Sequence, residues 1–408
     1  MTHVAGTPER AAEQAELPVF DLYSTQIDAD PFPHYHRLRE EFPCYWNERN
    51  AVWILSRYED VLGAAQDWRT FSSSGGNMID ELPGRAGSTL GTTDPPRHDR
   101  LRNLARAAFT RRSLEHLAGP TRETAIAALR EILEKRRFDF IGDFAGKVTV
   151  GILFQMLGLP YQDPAEIRRK VMLSVSTDKV LRGRNEAHVA AFGELGEFIS
   201  EHVNARRRSP SDDVISALVN TDIDGDKLSE REVVLTSATF VMAGVESLSS
   251  FMSMFALNLH DFPDARGQLC ADMSLLGPAI EESLRLNTSA QRFKRVTTRD
   301  VEMHGQTIRA GEKVALAYGS GNRDWRKYVN PDVYDIQRRP VGHLGFGSGP
   351  HFCLGNTLAR MVTMNAMEEF LRHIPQFDRS SHALEWIPSS NFRSPVSLPF
   401  EISGSKSY

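Results

Sequence analysis

Ser229 is followed three residues later by Glu232, and the chain then runs VVLTSATFVMAGVESLSSFMSMFALNLHDF before it meets Pro263. Serine with glutamate at that spacing is a capping-box signature, and the proline stops the helix it opens. Some thirty residues without a break is long for a globular helix. The stretch is apolar on most of its faces, so it is expected to cross the interior rather than lie on the surface. A chain organised around such a rod is expected to be mainly α with a smaller β lobe.

The flanking sequence fits that expectation. Ala51 to Ser56 reads as a strand followed by a short helix, and helical patterns dominate from Arg97 to about Leu286. Short strands follow, with turn signals at His304-Gly305 and Ala310-Gly311. A last helix is expected from near Leu354 to about His373. The segment from Ser72 to Pro96 is rich in Gly, Ser and Pro and reads as a long loop, either functional or a surface excursion. The expected organisation is a mobile tail over 1–18, one domain over 19–402 and a tail over 403–408.

Composition narrows the classes. A net charge of -5 over 408 residues argues against wholesale nucleic-acid binding or membrane adsorption. The three cysteines, Cys44, Cys270 and Cys353, are odd in number and far apart. That argues against a disulfide framework and against a thiolate-rich zinc site. No export signal or membrane-spanning run is read from the sequence, so a cytoplasmic protein is expected.

Cys353 stands apart because of its neighbours, GFGSGPHFCLG from Gly345 to Gly355. A thiol acts as nucleophile or metal ligand only as thiolate. Glycine permits tight turns and close backbone approach to a flat or bulky object, against which Phe346 could pack. Nucleophilic catalysis would need a base, and His351 is adjacent but badly spaced for it. Zinc would need further ligands. Haem iron needs one axial thiolate, and its two propionates need cationic partners. His98 and Arg102, which share one helix face, Arg295 and His351 are the candidates for that role.

With these residues in place, the sequence resembles the cytochrome P450 superfamily of haem-thiolate monooxygenases. The pattern Phe-x-x-Gly-x-x-x-Cys-x-Gly is met by Phe346, Gly349, Cys353 and Gly355. EESLR carries a Glu-x-x-Arg pair, Glu282 and Arg285; AGVES matches the family's Ala-Gly-x-acid-alcohol motif; and HDRLR matches its propionate helix. The resemblance spans nearly all of 20–401 and implies a triangular helical prism with haem b between the central and final helices. It implies Cys353 as axial ligand, Ala243, Gly244, Phe346, Gly347 and Gly355 around the cofactor, and Glu282–Arg285 as a buried ion pair. Glu246 and Ser247 would relay protons to bound oxygen, with Ser where the family usually has Thr, and Glu where it often has Asp.

O2 would be cosubstrate. Electrons from NAD(P)H would arrive through a reductase and a ferredoxin or flavodoxin, docked on a basic face that includes Arg97, Arg100, Arg102, Arg106, Arg111 and Arg112. Expected pocket residues are Met78, Met242, Ala243, Ser247, Gln291, Phe293 and Phe392. RTFSSSGG, LAYGSGNRD and FRSPVSLP are similar to bacterial members that oxidise small aromatics. Benzoate-type members use an arginine in the long loop, whereas SSSGGNM has no basic residue, which favours O-demethylation of a neutral methoxyphenol. A para-alkoxybenzoate, a terpenoid or macrolide substrate, and peroxide-driven turnover are the alternatives.

Overall fold

A computed structural model describes residues 20–109, 114–160, 163–380 and 383–403. The expected tail over 1–18 lies outside the described residues, as do Arg111, Arg112 and nearly all of 403–408.

The long apolar run is one helix, Glu230–Asp261. Its capping box is formed in both directions: Glu232 N donates to Ser229 Oγ at 3.3 Å, and Ser229 N donates to Glu232 Oε2 at 2.9 Å. Pro263 opens the next helix, Pro263–Ala271, where its missing N–H does no harm. Every residue from Leu248 to Leu259 is buried. Each buried Leu, Phe or Met there contributes roughly 1.5–3 kcal/mol. The serines in this stretch do not waste that gain, because Ser249 and Ser253 donate to carbonyls one turn back at 2.7 Å.

Helices Gly146–Leu157, Pro164–Val175, Glu186–Arg208 and Leu276–Leu286 pack around this rod. Helix Ala118–Lys135 covers the last helix, Asn356–His373. That last helix starts two residues later than expected, leaving Leu354 and Gly355 in the preceding loop. By length and composition Phe140–Leu157 and Glu230–Asp261 could each cross a bilayer, contrary to the sequence expectation, but 72% and 78% of those windows is buried in the protein. They are core helices.

The smaller lobe is a five-stranded sheet in the spatial order Cys44–Asn47, Val52–Leu55, Lys313–Leu316, Phe293–Thr297, Phe71–Ser72. Val52–Leu55 runs parallel to Lys313–Leu316, and the other pairings are antiparallel. The turn at His304-Gly305 has φ of 52° and 74°, which suits a tight two-residue hairpin between Val301–Met303 and Gln306–Ile308.

After the strand residue Ser72, the segment up to Pro96 is irregular apart from one 3-10 turn, Leu90–Thr92, yet it is packed rather than a surface excursion: Met78, Leu82, Arg85, Thr89 and Thr92 are buried. Asp80 anchors it. Its carboxylate accepts from Tyr23 Oη at 2.6 Å, Thr177 Oγ1 at 3.1 Å and Ser390 Oγ at 2.8 Å. Its carbonyl accepts from Arg184 Nε at 3.0 Å and Nη2 at 2.9 Å. One residue therefore joins four parts of the chain.

Candidate active site

A cavity of about 340 Å³ lies between the central helix and the loop that carries Cys353. Two 3-10 turns, Leu344–Phe346 and Gly349–His351, shape that loop, and Cys353 N donates to Phe346 O at 3.0 Å to close it. Gly349 has φ +68°, and a Cβ there would collide with the backbone carbonyl of Ala65. Gly355 is the opposite case, because a Cβ would meet nothing within 4 Å. The Arg360 guanidinium lies 4.5 Å over the Phe346 ring and also holds Glu281 at 2.6 Å.

Cys353 opens to the cavity. Burial pushes its thiol pKa up, against a hydrogen bond from the Gly355 amide and the charges of Arg102 and Arg360. Such a thiol waits for a cation, since coordination removes the proton outright.

All four expected propionate partners, His98, Arg102, Arg295 and His351, line the same cavity. The His98 and His351 rings meet edge to face at 4.5 Å, and neither Nε2 has a hydrogen-bond partner among the described residues. Arg102 donates to Phe352 O at 2.8 Å and Arg295 to Lys294 O at 2.8 Å. Burial, with the charges of Arg295, His98 and Arg102, pushes the His351 pKa down to about 2, so its imidazole is neutral. Among the described residues the one ion pair these four make is His98 with the exposed Asp99, at 3.0 Å. Such a collection of guanidinium and imidazole groups, with one ion pair among them in the described residues, calls for anions. Haem would bring two propionates to it, Cys353 would supply the thiolate for its iron, and Gly355 leaves open space beside them, so the residues fit haem.

On the other wall stand Ala243, Gly244 and Ser247. Gly244 is where helix Gly146–Leu157 closes on the central helix; a Cβ there would sit 2.7 Å from a Leu153 methyl. Ser247 Oγ donates to the Ala243 carbonyl. Glu246 does not line the cavity; it lies wholly buried behind it. Its Oε1 accepts from Ser250 Oγ at 2.6 Å and its Oε2 has no partner among the described residues. Burial pushes the Glu246 carboxyl pKa up, opposed by Arg168 and by the Ser250 hydrogen bond. The acid and the alcohol are thus not in contact, and Ser250, one turn beyond Glu246, is the neighbour that the motif did not reveal.

Met78, Met242, Phe293 and Phe392 line the cavity, with the two phenylalanine rings edge to face at 5.6 Å and 88°. Gln291 does not line it. Its Nε2 turns back to the Thr288 carbonyl, and its N donates to Asn391 O at 2.9 Å. In its place the cavity wall includes Asn77 and Arg85, from the long loop.

Glu282 and Arg285 are each 0% exposed and meet in a two-pronged contact of 2.7 Å on both arms. The expected basic face is thinner than the sequence count implied. Arg100 is paired with Asp226 at 2.7 Å and with Glu232 at 3.1 Å, so it ties helix Arg97–Ala108 to the start of the central helix.

Comparison with known proteins agrees with this geometry. The family model for cytochrome P450 matches residues 22–375. Nocardicin C N-oxygenase of Nocardia uniformis subsp. tsuyamanensis is 34% identical over 394 residues, covering 92% of this chain and 97% of its own. Cytochrome P450 109 of Bacillus spizizenii is 30% identical over 414 residues, covering 98% and 99%. The solved structure of the bacillaene polyketide synthase cytochrome P450 PksS from Bacillus subtilis 168 superposes with a TM-score of 0.87 at 28% identity, covering 94% of this chain and all of that one. With the family model matching residues 22–375 and these relatives matching nearly end to end, the chain belongs to the cytochrome P450 family of haem-thiolate monooxygenases.

Proposed function

We propose that this monooxygenase demethylates a neutral methoxyphenol of the guaiacol type, with electrons delivered by a separate ferredoxin. Its relatives act on varied substrates, so the reading rests on this chain's own pocket. The observation that carries it is the pairing of an aromatic wall, Phe293 against Phe392, with a pocket whose cation is already neutralised. Arg85 is the one cavity-lining guanidinium outside the propionate cluster among the described residues, and it is held by Glu81. A benzoate would find no free countercharge there.

Haem, when bound through Cys353, supplies oxygen activation and delivery of one oxygen atom. The protein's own groups bind, orient and move protons. His98, Arg102, Arg295 and His351 would hold the propionates. Phe293, Phe392, Met78 and Met242 exclude water and fix the ring. The Ser247 hydroxyl, on the cavity face, hands protons inward, and Glu246 recharges it by swinging from Ser250, the hydroxyl its carboxyl holds at rest. One O2, two electrons and two protons convert the methoxy carbon to a hemiacetal and release one water. The hemiacetal then collapses to the phenol and formaldehyde.

Formaldehyde and the 4-alkylcatechol should form in equal amounts from a 4-alkylguaiacol with NAD(P)H, reductase and ferredoxin. A low- to high-spin shift with methoxybenzoates or terpenes but not with guaiacols would overturn the reading. Product from peroxide alone, at the same rate as with the electron-transfer chain, would replace it with peroxygenase action.

A further inference from the structure

A chain of polar contacts grips the cysteine loop from outside, and it begins and ends on that loop. At the entrance, His343 Nδ1 accepts from Gly345 N at 3.1 Å. The ring's other nitrogen, Nε2, donates to Glu281 Oε2 at 3.0 Å. Arg360 gives Glu281 two arms, Nε to Oε1 at 2.6 Å and Nη2 to Oε2 at 2.9 Å. Its remaining nitrogen, Nη1, donates to Asn356 Oδ1 at 2.9 Å, and Asn356 Nδ2 donates to the Cys353 carbonyl at 2.8 Å. Helix Leu276–Leu286 supplies the anion and helix Asn356–His373 the cation, so two helices fix the pair.

The pair is oriented. Its cation, Arg360, lies 4.5 Å over the Phe346 ring, which borders the cavity together with Cys353. The Phe346 carbonyl in turn accepts from Cys353 N at 3.0 Å. Arg360 and Glu281 are 36% and 29% exposed, so water weakens their field at the loop without cancelling it.

We infer that Arg360 is a positioning residue for electron entry: its guanidinium, set over Phe346 by Glu281, favours the more negative ferrous state of thiolate-bound haem and so sets how readily the iron is reduced. Iron takes one electron from the reduced partner protein, and no bond is made or broken. The added negative charge is what the cation meets, as outer groups tune a metal through its ligand. The effect is independent of the substrate, so it stands or falls apart from the guaiacol reading.

The ferric–ferrous equilibrium of the haem-loaded protein is read by spectroelectrochemical titration against dyes of known potential, without substrate or ferredoxin. Arg360→Met keeps an apolar stem over Phe346 and removes the charge. It should lower the reduction equilibrium constant about two- to fivefold, the range for a partly exposed cation over a ring. That is a shift of roughly 18–41 mV, at 59 mV per tenfold for one electron. Glu281→Gln removes the opposing charge and should raise the constant, by no more than that factor. Arg360→Lys keeps the charge without the planar fork and should stay nearer wild type than Arg360→Met. Should Arg360→Met fail to retain haem, Arg360→Gln removes the same charge while keeping a hydrogen bond to Glu281. A merely structural pair would loosen the loop in either variant and move both constants the same way. Shifts of one sign in the neutral Arg360 variant and Glu281→Gln, no shift in the neutral Arg360 variant, or a shift in Arg360→Lys equal to it would each overturn the assignment.

Discussion

Replacing Glu282 with alanine should cost this protein much of its stability and its haem. Glu282 takes both arms of Arg285, and its Oε1 also accepts from Arg338 Nε at 3.0 Å and Asp335 N at 3.2 Å. Without it, two guanidinium groups, one fully buried and one 16% exposed, share a pocket with no anion. Removing one partner of a buried pair costs about 3–5 kcal/mol. The carbonyls of Asn322 and Pro331 still accept from Arg285, at 2.9 and 2.7 Å, which keeps the loss within that range rather than beyond it. Against about 5–15 kcal/mol of total stability, the damage is a large fraction. At a urea slope of about 3 kcal/mol/M the midpoint should fall by roughly 1–1.7 M. Haem is lost because Arg285 holds the Asn322 carbonyl while Asn322 Oδ1 accepts from Leu344 N at 2.6 Å, at the entrance to the cysteine loop. Urea unfolding followed by circular dichroism, with the haem-to-protein ratio measured on the same preparation, tests both parts. A midpoint within about 0.3 M of wild type together with full haem occupancy would refute the reasoning.

Gly349→Ala should unfold the cysteine loop, since its Cβ would strike the Ala65 carbonyl at a positive φ, whereas Gly355→Ala should leave apoprotein stability unchanged and weaken haem retention; equal effects in thermal melts and haem-transfer assays would contradict the assigned cradle. Burial works to raise the Glu281 pKa, but hydrogen bonds from Arg360 and His343 outweigh it and hold the carboxyl down at about 2. A depressed carboxyl stabilises the fold above the unfolded value of about 4.3 and loses that contribution as pH falls through the folded value. Glu281→Gln should therefore lower the melting temperature at pH 7, with the gap closing as pH falls from about 4.5 toward 2; a gap constant from pH 7 to 3 would contradict this. Ser247→Ala should keep substrate affinity while lowering product formed per NAD(P)H consumed, and an unchanged ratio would remove the hydroxyl from the proton route.

What could be read in advance was local. The capping box at Ser229 and Glu232, the His304-Gly305 turn and the contact of Glu282 with Arg285 each depend on residues within one turn of the backbone. The same logic places Glu246: adjacent helix residues point about 100° apart, so its carboxyl meets Ser250, one turn on, rather than Ser247. Gln291 failed for the reason that governs extended chain: Ala290 bridges Phe392, and alternate side chains leave a strand on opposite sides, so the polar neighbour of a cavity residue faces away from the cavity. Arg85 was out of reach because the loop returns it to Asn77 only through the Glu81 carboxylate, a fold that no periodicity encodes. Arg100 looked like free surface charge because its partners, Asp226 and Glu232, lie far along the chain.

The parallel pairing of Val52–Leu55 with Lys313–Leu316 has a consequence for the protein's birth on the ribosome. The hairpin from Cys44 to Leu55 emerges early, but its sheet neighbour follows about 260 residues later. At about 5–20 residues per second, the inner edge of that hairpin waits roughly 13–52 s for its partner. Ser390, which joins Asp80, and Phe392, which lines the cavity, arrive later still. The nascent chain therefore carries an open, apolar strand edge until that partner is made, and the cavity wall is incomplete until Phe392 has emerged.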